Sequence, residues 1–372
     1  MTFPARLLSL LALAAVVLAG CETFETPRQI ARGETEEVLV ATDSATWAGP
    51  VGEALRAEFG KPVLTLPSGQ GAFKLRRVDL NSRSFTTLKL APQIVFAAPI
   101  DAPGEIGDFL RSRVGEGSLD AVRSGQAAAV NLRPDLWADG QLVTVATAAS
   151  DTALARQILQ SGPQLRAAYG QLARERTADQ MFSRLRQTDL EDEMLARHGF
   201  QVGIQHDFVK VQDTTVTVAG HTGAFVRYRR VLSGTWRDFF VFAEDGVDQL
   251  PPKAELDRLT NALLEEFARG SEDSSYVQMD DQRPTTTDTV TVAGRTALET
   301  RGLWYMTNDI MGGAYIREAF VDPATDRLYI YYGMTFAPDR TLDKRKFLRQ
   351  MEAIAHTFQT RADVREESGN RK

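Results

Sequence analysis

Cys21 is the one cysteine in a chain of 372 residues, and the residues in front of it give its sulfur a specific chemistry. Arg6 supplies a positive charge, Leu7 to Leu18 is almost wholly apolar, and Leu18-Ala19-Gly20 leads directly into Cys21. This is the pattern of a lipoprotein signal peptide. Cleavage falls between Gly20 and Cys21, the Cys21 thiol takes a diacylglycerol, and two or three acyl chains, palmitate among them, then hold the product on a bilayer. A transmembrane span needs about 20 apolar residues, more than this run offers. A lone cysteine also excludes an intrachain disulfide, a Cys-based metal site and a cysteine nucleophile.

Other residue types that do chemistry are present without the spacing that chemistry requires. His198, His206, His221 and His356 contain no i, i+4 pair, so no zinc-binding helix face is expected. Ser68, in Leu66-Pro67-Ser68-Gly69-Gln70-Gly71, lacks the glycine that precedes a nucleophile elbow and reads as a proline turn. Gly115-Glu116-Gly117 starts like a dinucleotide loop but has Asp120 in place of the third glycine. No Walker loop, metalloprotease helix or calcium loop occurs, and no cofactor or metal is expected. Glu272, Asp273, Asp280 and Asp281 offer oxygen ligands for a divalent cation, though a solvated loop between the repeats accounts for them more simply.

The segment from Gly302 to Glu318 concentrates aromatic, amide and charged groups. One reading is a hairpin whose Trp304 packs on the core, with a turn at Asn308-Asp309 or Gly312-Gly313. The other is a concave rim for an apolar or sugar ligand, built from Arg301, Trp304, Asn308, Asp309, Tyr315 and Arg317, the arginines taking an anion. Glu299, Asp309 and Glu318 are the carboxylates available for acid and base work if two of them meet in one cleft. Lys344, Arg345, Lys346 and Arg349 crowd the first turns of the closing helix, where the helix dipole disfavours cations, with Asp343 placed to cap it. Such a patch suits membrane phosphates, an acidic partner or plain solvent.

The elements that must position these groups follow from periodicity. Residues 1–20 are the signal peptide and 21–36, polar and broken by Pro27 and Gly33, a flexible tether. Residues 37–197 read as an α/β region: a strand at Val38 to Ala41, a helix carrying Val51, Leu55 and Phe59, strands over Leu75 to Leu90 and Gln93 to Ala98, a helix over Ile106 to Val114, and a strand at Leu142 to Ala146. A helical stretch from Thr152 to Arg197 closes it, with a break expected at Gly162-Pro163. In residues 198–358, Thr215-Val216-Thr217-Val218-Ala219-Gly220 recurs 74 residues on as Thr289-Val290-Thr291-Val292-Ala293-Gly294. Arg237, Asp238 and Phe240 are echoed by Arg317, Glu318 and Phe320, and an amphipathic helix follows each copy. This predicts two similar units, about 198–270 and 275–358, each an antiparallel sheet with a helix on one face. Residues 359–372 are charged, poor in apolar groups, and expected to be disordered. The fold class is α+β, mainly antiparallel.

Together with the lipobox, Glu37-Val38-Leu39-Val40 before Trp47-Ala48-Gly49, Arg301-Gly302-Leu303-Trp304, Gly312-Gly313 with Tyr315 shortly after, and Phe336-Ala337-Pro338 before Lys344-Arg345 resemble a domain-of-unknown-function family of envelope lipoproteins from a Gram-negative phylum. The resemblance implies an envelope location and transfers no catalytic residue. The second region is more loosely similar to PsbP/Mog1-type domains, which bears on fold and not on function.

A net charge of −6 argues against a nucleic-acid partner. Glu22, where inner-membrane retention would favour aspartate, directs the expected anchor to the outer membrane, with the body in the periplasm or, alternatively, on the cell surface. The expected partners are the bilayer, through acylated Cys21, and an envelope protein. A non-enzymatic binding or assembly role is the leading expectation, beside a hydrolase of envelope sugars or peptides and a carrier of an apolar ligand between the two repeat sheets.

Overall fold

The computed structural model describes residues 28–271 and 274–370, so Gly20, Cys21, Glu272 and Asp273 lie outside the described residues. The chain enters as β1 (Gln29–Ile30) and β2 (Glu37–Ala41), then α1 (Ser44–Ala48), α2 (Pro50–Phe59), β3 (Lys74–Val78), α3 (Ser82–Leu88), β4 (Gln93–Ala97), α4 (Gly104–Arg113), α5 (Glu116–Arg123), β5 (Ala129–Pro134), β6 (Ala138–Asp139), β7 (Leu142–Thr147) and α6 (Asp151–Phe182). Five strands form a sheet in the order β3-β2-β4-β7-β5, parallel throughout except for β5. Helices cover both faces. Val38, Val40, Val95 and Ala146 pack with Leu55, Phe59, Ile158, Leu165 and Tyr169 of α2 and α6, and Leu39, Ile94, Phe96 and Val145 with Leu88, Ile106 and Leu110 of α3 and α4. Burial on both sides is why β4 reads as an unbroken run with no alternation.

Two local expectations are corrected. The strand foreseen over Leu75 to Leu90 stops at Val78, because Asn81 and Ser84 form a reciprocal capping box that starts α3. The break foreseen at Pro163 does not occur, and α6 runs unbroken for 32 residues. Proline inside a helix costs about 3 kcal/mol. Leu154, Ile158, Leu165 and Tyr169 are buried on the same helix, each worth about 1.5–3 kcal/mol, so packing wins.

The second half continues as α7 (Thr188–His198), β8 (Phe200–Gln201), β9 (Val209–Val218), β10 (His221–Leu232), β11 (Thr235–Asp245), α8 (Lys253–Phe267), β12 (Val277–Met279), β13 (Thr286–Val292), β14 (Arg295–Met306), β15 (Gly312–Asp322), β16 (Arg327–Phe336), α9 (Lys344–Ala355), β17 (Gln359–Thr360) and α10 (Arg361–Asn370). Eight strands form one curled antiparallel sheet in the order β12-β14-β15-β16-β11-β10-β9, with β13 also paired to β14. The repeated Thr-Val-Thr-Val-Ala-Gly segments each end a strand and enter a two-residue turn whose Ala and Gly are both left-handed, φ +53° and +89° at Ala219-Gly220 and +48° and +74° at Ala293-Gly294.

The first two strands of each unit keep the 74-residue offset: His221 faces Val218 and Arg295 faces Val292. The third strand slips. Arg227 faces Phe240, whereas Arg301 faces Ile316 and not Phe320, because residues 307–311 make a longer connection than the 233–234 turn. The echoed Arg-acid-Phe triplets are therefore out of structural register. Each unit's helix covers one face of the sheet, and the faces are opposite: α8 brings Leu256, Leu259 and Leu263 onto Phe225, Phe240, Tyr315 and Tyr332, and α9 brings Leu348, Met351 and Ile354 onto Val226, Phe239, Ile316 and Tyr331.

Residues 28–36 and 359–370 are more ordered than their composition predicts. Residues 28–36, assigned to the tether, pair through β1 with β6 and bury Glu36. Residues 359–370, expected to be disordered, form β17 and α10. Arg295 grips Asp363 there, and Arg361 donates to the Leu195 and Ala196 carbonyls.

Candidate functional site

The segment from Gly302 to Glu318 is a hairpin of β14 and β15, and the pleat divides its side chains between two faces. On the α8 side, Trp304 packs at a tilt against the stacked rings of Trp236 and Phe336 and donates from Nε1 to the Thr335 carbonyl at 3.2 Å. Tyr315 stacks on Tyr332, and burial pushes its hydroxyl up to about 12. Arg317, fully buried, donates to Asp257 at 2.6 Å and to Thr300 Oγ1 at 3.0 Å. Asn308 donates to Ser274, and Asp309 is exposed in the connecting loop. Arg301 lies on the other face. The six residues of the expected rim therefore do not meet. Trp304 and Tyr315 are core, because consecutive strand residues alternate sides and both neighbours of each strand are occupied.

What Arg301 does meet is the seam between the two halves of the molecule. It donates to Glu299 at 2.6 and 2.8 Å and pairs at 3.1 Å with Glu352 of α9. Glu352 also accepts from Arg174 of α6 at 3.0 Å and lies 3.7 Å from Arg349, which reaches Glu36 at 2.9 Å. Burial works against ionising Glu352, yet Arg301, Arg349 and Arg174 together hold its carboxyl far below the usual range. Burial likewise opposes the charge on Arg349, and Glu36 and Glu352 outweigh it.

The basic cluster at the start of α9 serves the same seam. Lys346 pairs with Glu34 at 2.5 Å, Arg345 donates to the Gly71 carbonyl, and Gln70 both accepts from the Lys344 amide and donates to the Leu342 carbonyl. These cations therefore dock α9 on the first domain, in place of the solvent or membrane role foreseen for them. The loop holding Ser68 is the counterpart: Leu66 enters the second domain's core, while Ser68 stays on an exposed turn beside left-handed Gly69.

Along this seam runs a cleft of about 800 Å³ between α6, β13, β14 and α9, lined by Arg166, Arg174, Arg301, Arg349, Asp288, Thr289, Glu299, Glu352 and His356. Under it, directly across the ladder from Glu299, stands Glu318, completely buried. Burial raises the Glu318 carboxyl, and His356, with Nε2 at 3.1 Å from Oε1, partly opposes the rise. That approach is off the hydrogen-bonding direction, so among the described residues neither Glu318 oxygen has an aligned donor. Of the three carboxylates named for acid and base work, Glu299 and Glu318 share a face and Asp309 lies elsewhere.

The remaining candidates are structural. His198 pairs with Asp213 at 2.7 Å, His221 with Glu244 at 2.8 Å, and His206 stands at the surface near Asp207. Gly115 precedes α5 as a turn, and Asp280 and Asp281 hold Gln282 in a surface loop. Among the described residues no His, Cys, Asp and Glu group is placed to hold a metal, and no helix is long and apolar enough to cross a membrane. The two repeats are halves of one continuous sheet packed on both faces, so among the described residues they do not form the two facing sheets between which an apolar ligand was expected. Sequence reasoning missed Glu36, Arg174 and Glu352. For Arg174 and Glu352 the one signal was a surplus of charged residues on helices whose apolar stripe was already complete; Glu36, just before β2, carried none.

Residues 31–182 match the model of a domain of unknown function (DUF8532), and residues 187–357 match that of another domain of unknown function (DUF4837). The two matches meet between α6 and α7, where the parallel sheet's domain gives way to the antiparallel one. Comparison with curated proteins and with solved structures returns no match, and the looser likeness to PsbP/Mog1-type domains carries no argument.

Proposed function

We propose that this protein is a non-enzymatic binding or assembly component of the cell envelope, tethered through acylated Cys21 to the outer membrane with its body in the periplasm, and that the interdomain cleft is its ligand site. The observation that supports the cleft is its lining. Arginines and carboxylates from both domains stand on rigid helices and strands, and each arginine already faces an acid: Arg166 faces Glu58 at 2.5 Å, beside the Arg174, Arg301 and Arg349 pairs. A charge-balanced cleft of this kind suits a ligand that carries donors and acceptors of its own, such as a peptide or sugar segment of an envelope partner, better than a simple anion. The test is capture from a native membrane extract by the intact lipoprotein and by an Arg174→Ala variant. Specific partners lost from the variant are expected. Recovery of no partner by the intact protein defeats the reading. Anchoring is tested separately by palmitate labelling, which Cys21→Ala should abolish.

A hydrolase of envelope sugars or peptides is the second reading, favoured by one feature: Glu299 and Glu318 face the same side, with Glu318 shifted toward its acid form by burial and Glu299 paired with Arg301. Turnover of a cell-wall fragment that disappears in Glu318→Gln supports it, and unchanged turnover removes Glu318 from any such chemistry.

A further inference from the structure

Four consecutive residues of β13, Asp288, Thr289, Val290 and Thr291, line the interdomain cleft. Successive side chains of a strand point to opposite faces, so a cleft that touches all four runs along the strand's edge and not over one face of the sheet. That edge is free: among the described residues β13 pairs with β14 and with no other strand. The two-residue turn at Ala293-Gly294 makes Val292 and Arg295 a hydrogen-bonded pair, which places the ladder bonds to β14 on Val292, Val290 and Asp288. Thr287, Thr289 and Thr291 are the residues in between, and their N–H and C=O groups point outward, away from β14. All three are exposed, and no described group bonds their backbone.

Across the cleft stands α6. Pro163, Ala167, Gly170 and Arg174 follow one another at helical spacing along this wall, flanked by Arg166 and Gln171. The small residues in the middle leave room in front of it: a Cβ added to Gly170 would meet nothing within 4 Å. The space between the walls, about 800 Å³, is ample for a short chain segment. What the β13 edge offers to that space is a donor and an acceptor on every second residue, the period of another extended main chain. A sugar or a simple anion has no such repeat and would leave most of the row unmatched.

We propose that the cleft takes an extended peptide segment of a partner protein, which adds to β13 as a further strand through main-chain bonds to Thr287, Thr289 and Thr291. The proposal rests on the cleft being the ligand site. The probe is a phage-displayed library of random peptides, selected on the mature chain, residues 21–372, made without acyl groups. Enrichment is expected. Thr289→Pro should weaken a synthetic peptide from the selection by about 10-fold, since it removes one outward N–H and leaves the bonds to β14 in place. Thr215→Pro makes the same change 74 residues earlier, on the sheet's other edge strand β9, and should bind like the parent. N-methylation along the peptide should weaken binding at alternate positions only, a readout that needs no altered protein. No enriched peptide, equal loss in both proline variants, or N-methyl effects without alternation each overturn the proposal. So does full binding by a Thr289→Pro variant whose circular dichroism spectrum and Tm match the parent's. Self-association of the parent that is lost in Thr289→Pro, without peptide binding, would overturn it by making a second copy the occupant. Gly170→Leu fills the cleft itself: envelope partners lost from that variant and kept by Thr289→Pro would overturn strand addition alone and leave the cleft as the ligand site.

Discussion

Glu352 and Glu318 lie on the same side of one sheet, and opposite forces set their charge. Glu352 is buried among three guanidinium groups, and their attraction exceeds the cost of burial. Its folded value is depressed, so its contribution to stability is fully present above the unfolded value of about 4.3 and is lost as pH falls through the folded one. Glu352→Gln should destabilise the protein by roughly 3–5 kcal/mol at neutral pH, since it leaves buried arginine charge without a counterion. Glu318 has no arginine, and burial raises its folded value. Its contribution is fully present below about 4.3 and is lost as pH rises through the folded value. Glu318→Gln should therefore raise Tm at pH 7 and leave it unchanged near pH 4. Thermal unfolding of both variants across that range checks the signs, and a Glu318→Gln gain that is largest in acid would contradict the account. No local pattern separates the two: both are ordinary acids in charged surroundings, and only the fold shows that one sits among three arginines and the other beside a single histidine.

The strands, helices and turns were largely legible because their causes are local. The repeated Thr-Val-Thr-Val-Ala-Gly segments foretold paired strands, and the stripe Leu256, Leu259, Leu263 foretold the buried face of α8. The turns also expose a small strain. Ala219 and Ala293 occupy left-handed backbone that costs an L-residue roughly 1 kcal/mol and that asparagine tolerates better. Ala219→Asn and Ala293→Asn should each stabilise by a few tenths to about 1 kcal/mol, nearly additively because the turns are far apart; urea unfolding that shows no gain for either would reject this. Gly313 was a candidate turn residue, yet it sits inside β15. A Cβ there would lie 1.8 Å from the Thr335 carbonyl oxygen and 2.9 Å from Trp304 Nε1. Gly313→Ala should cost about 1–3 kcal/mol, measurable in the same experiment. The misread elements, α3 and the unbroken α6, failed for two reasons: a capping pair hidden in a β-like stretch, and tertiary burial that exceeds the cost of one proline.

At the scale of the whole molecule, the two matched domains are held together by Lys346 on Glu34, Arg349 on Glu36, Arg174 on Glu352 and the Gln70 clasp on the start of α9. Much of this network is buried, so it should couple the domains energetically. Scanning calorimetry of the intact chain should give one transition, and the Arg174→Ala/Arg349→Ala variant should separate it into two; a single sharp transition in that variant would show that apolar contacts such as Leu66 carry the coupling instead. By itself, the sequence determined the α+β class, the duplicated hairpins and the lack of a familiar catalytic spacing. All of these depend on neighbours a few residues apart or on simple recurrence. Only the tertiary structure decided that the aromatic hairpin is core, that the basic start of α9 is an interdomain latch, and that a charged cleft lies along the seam. Each of those depends on which side chains meet across 100 to 300 residues of chain, and the faces they share are fixed by strand register and helix packing that no local pattern specifies.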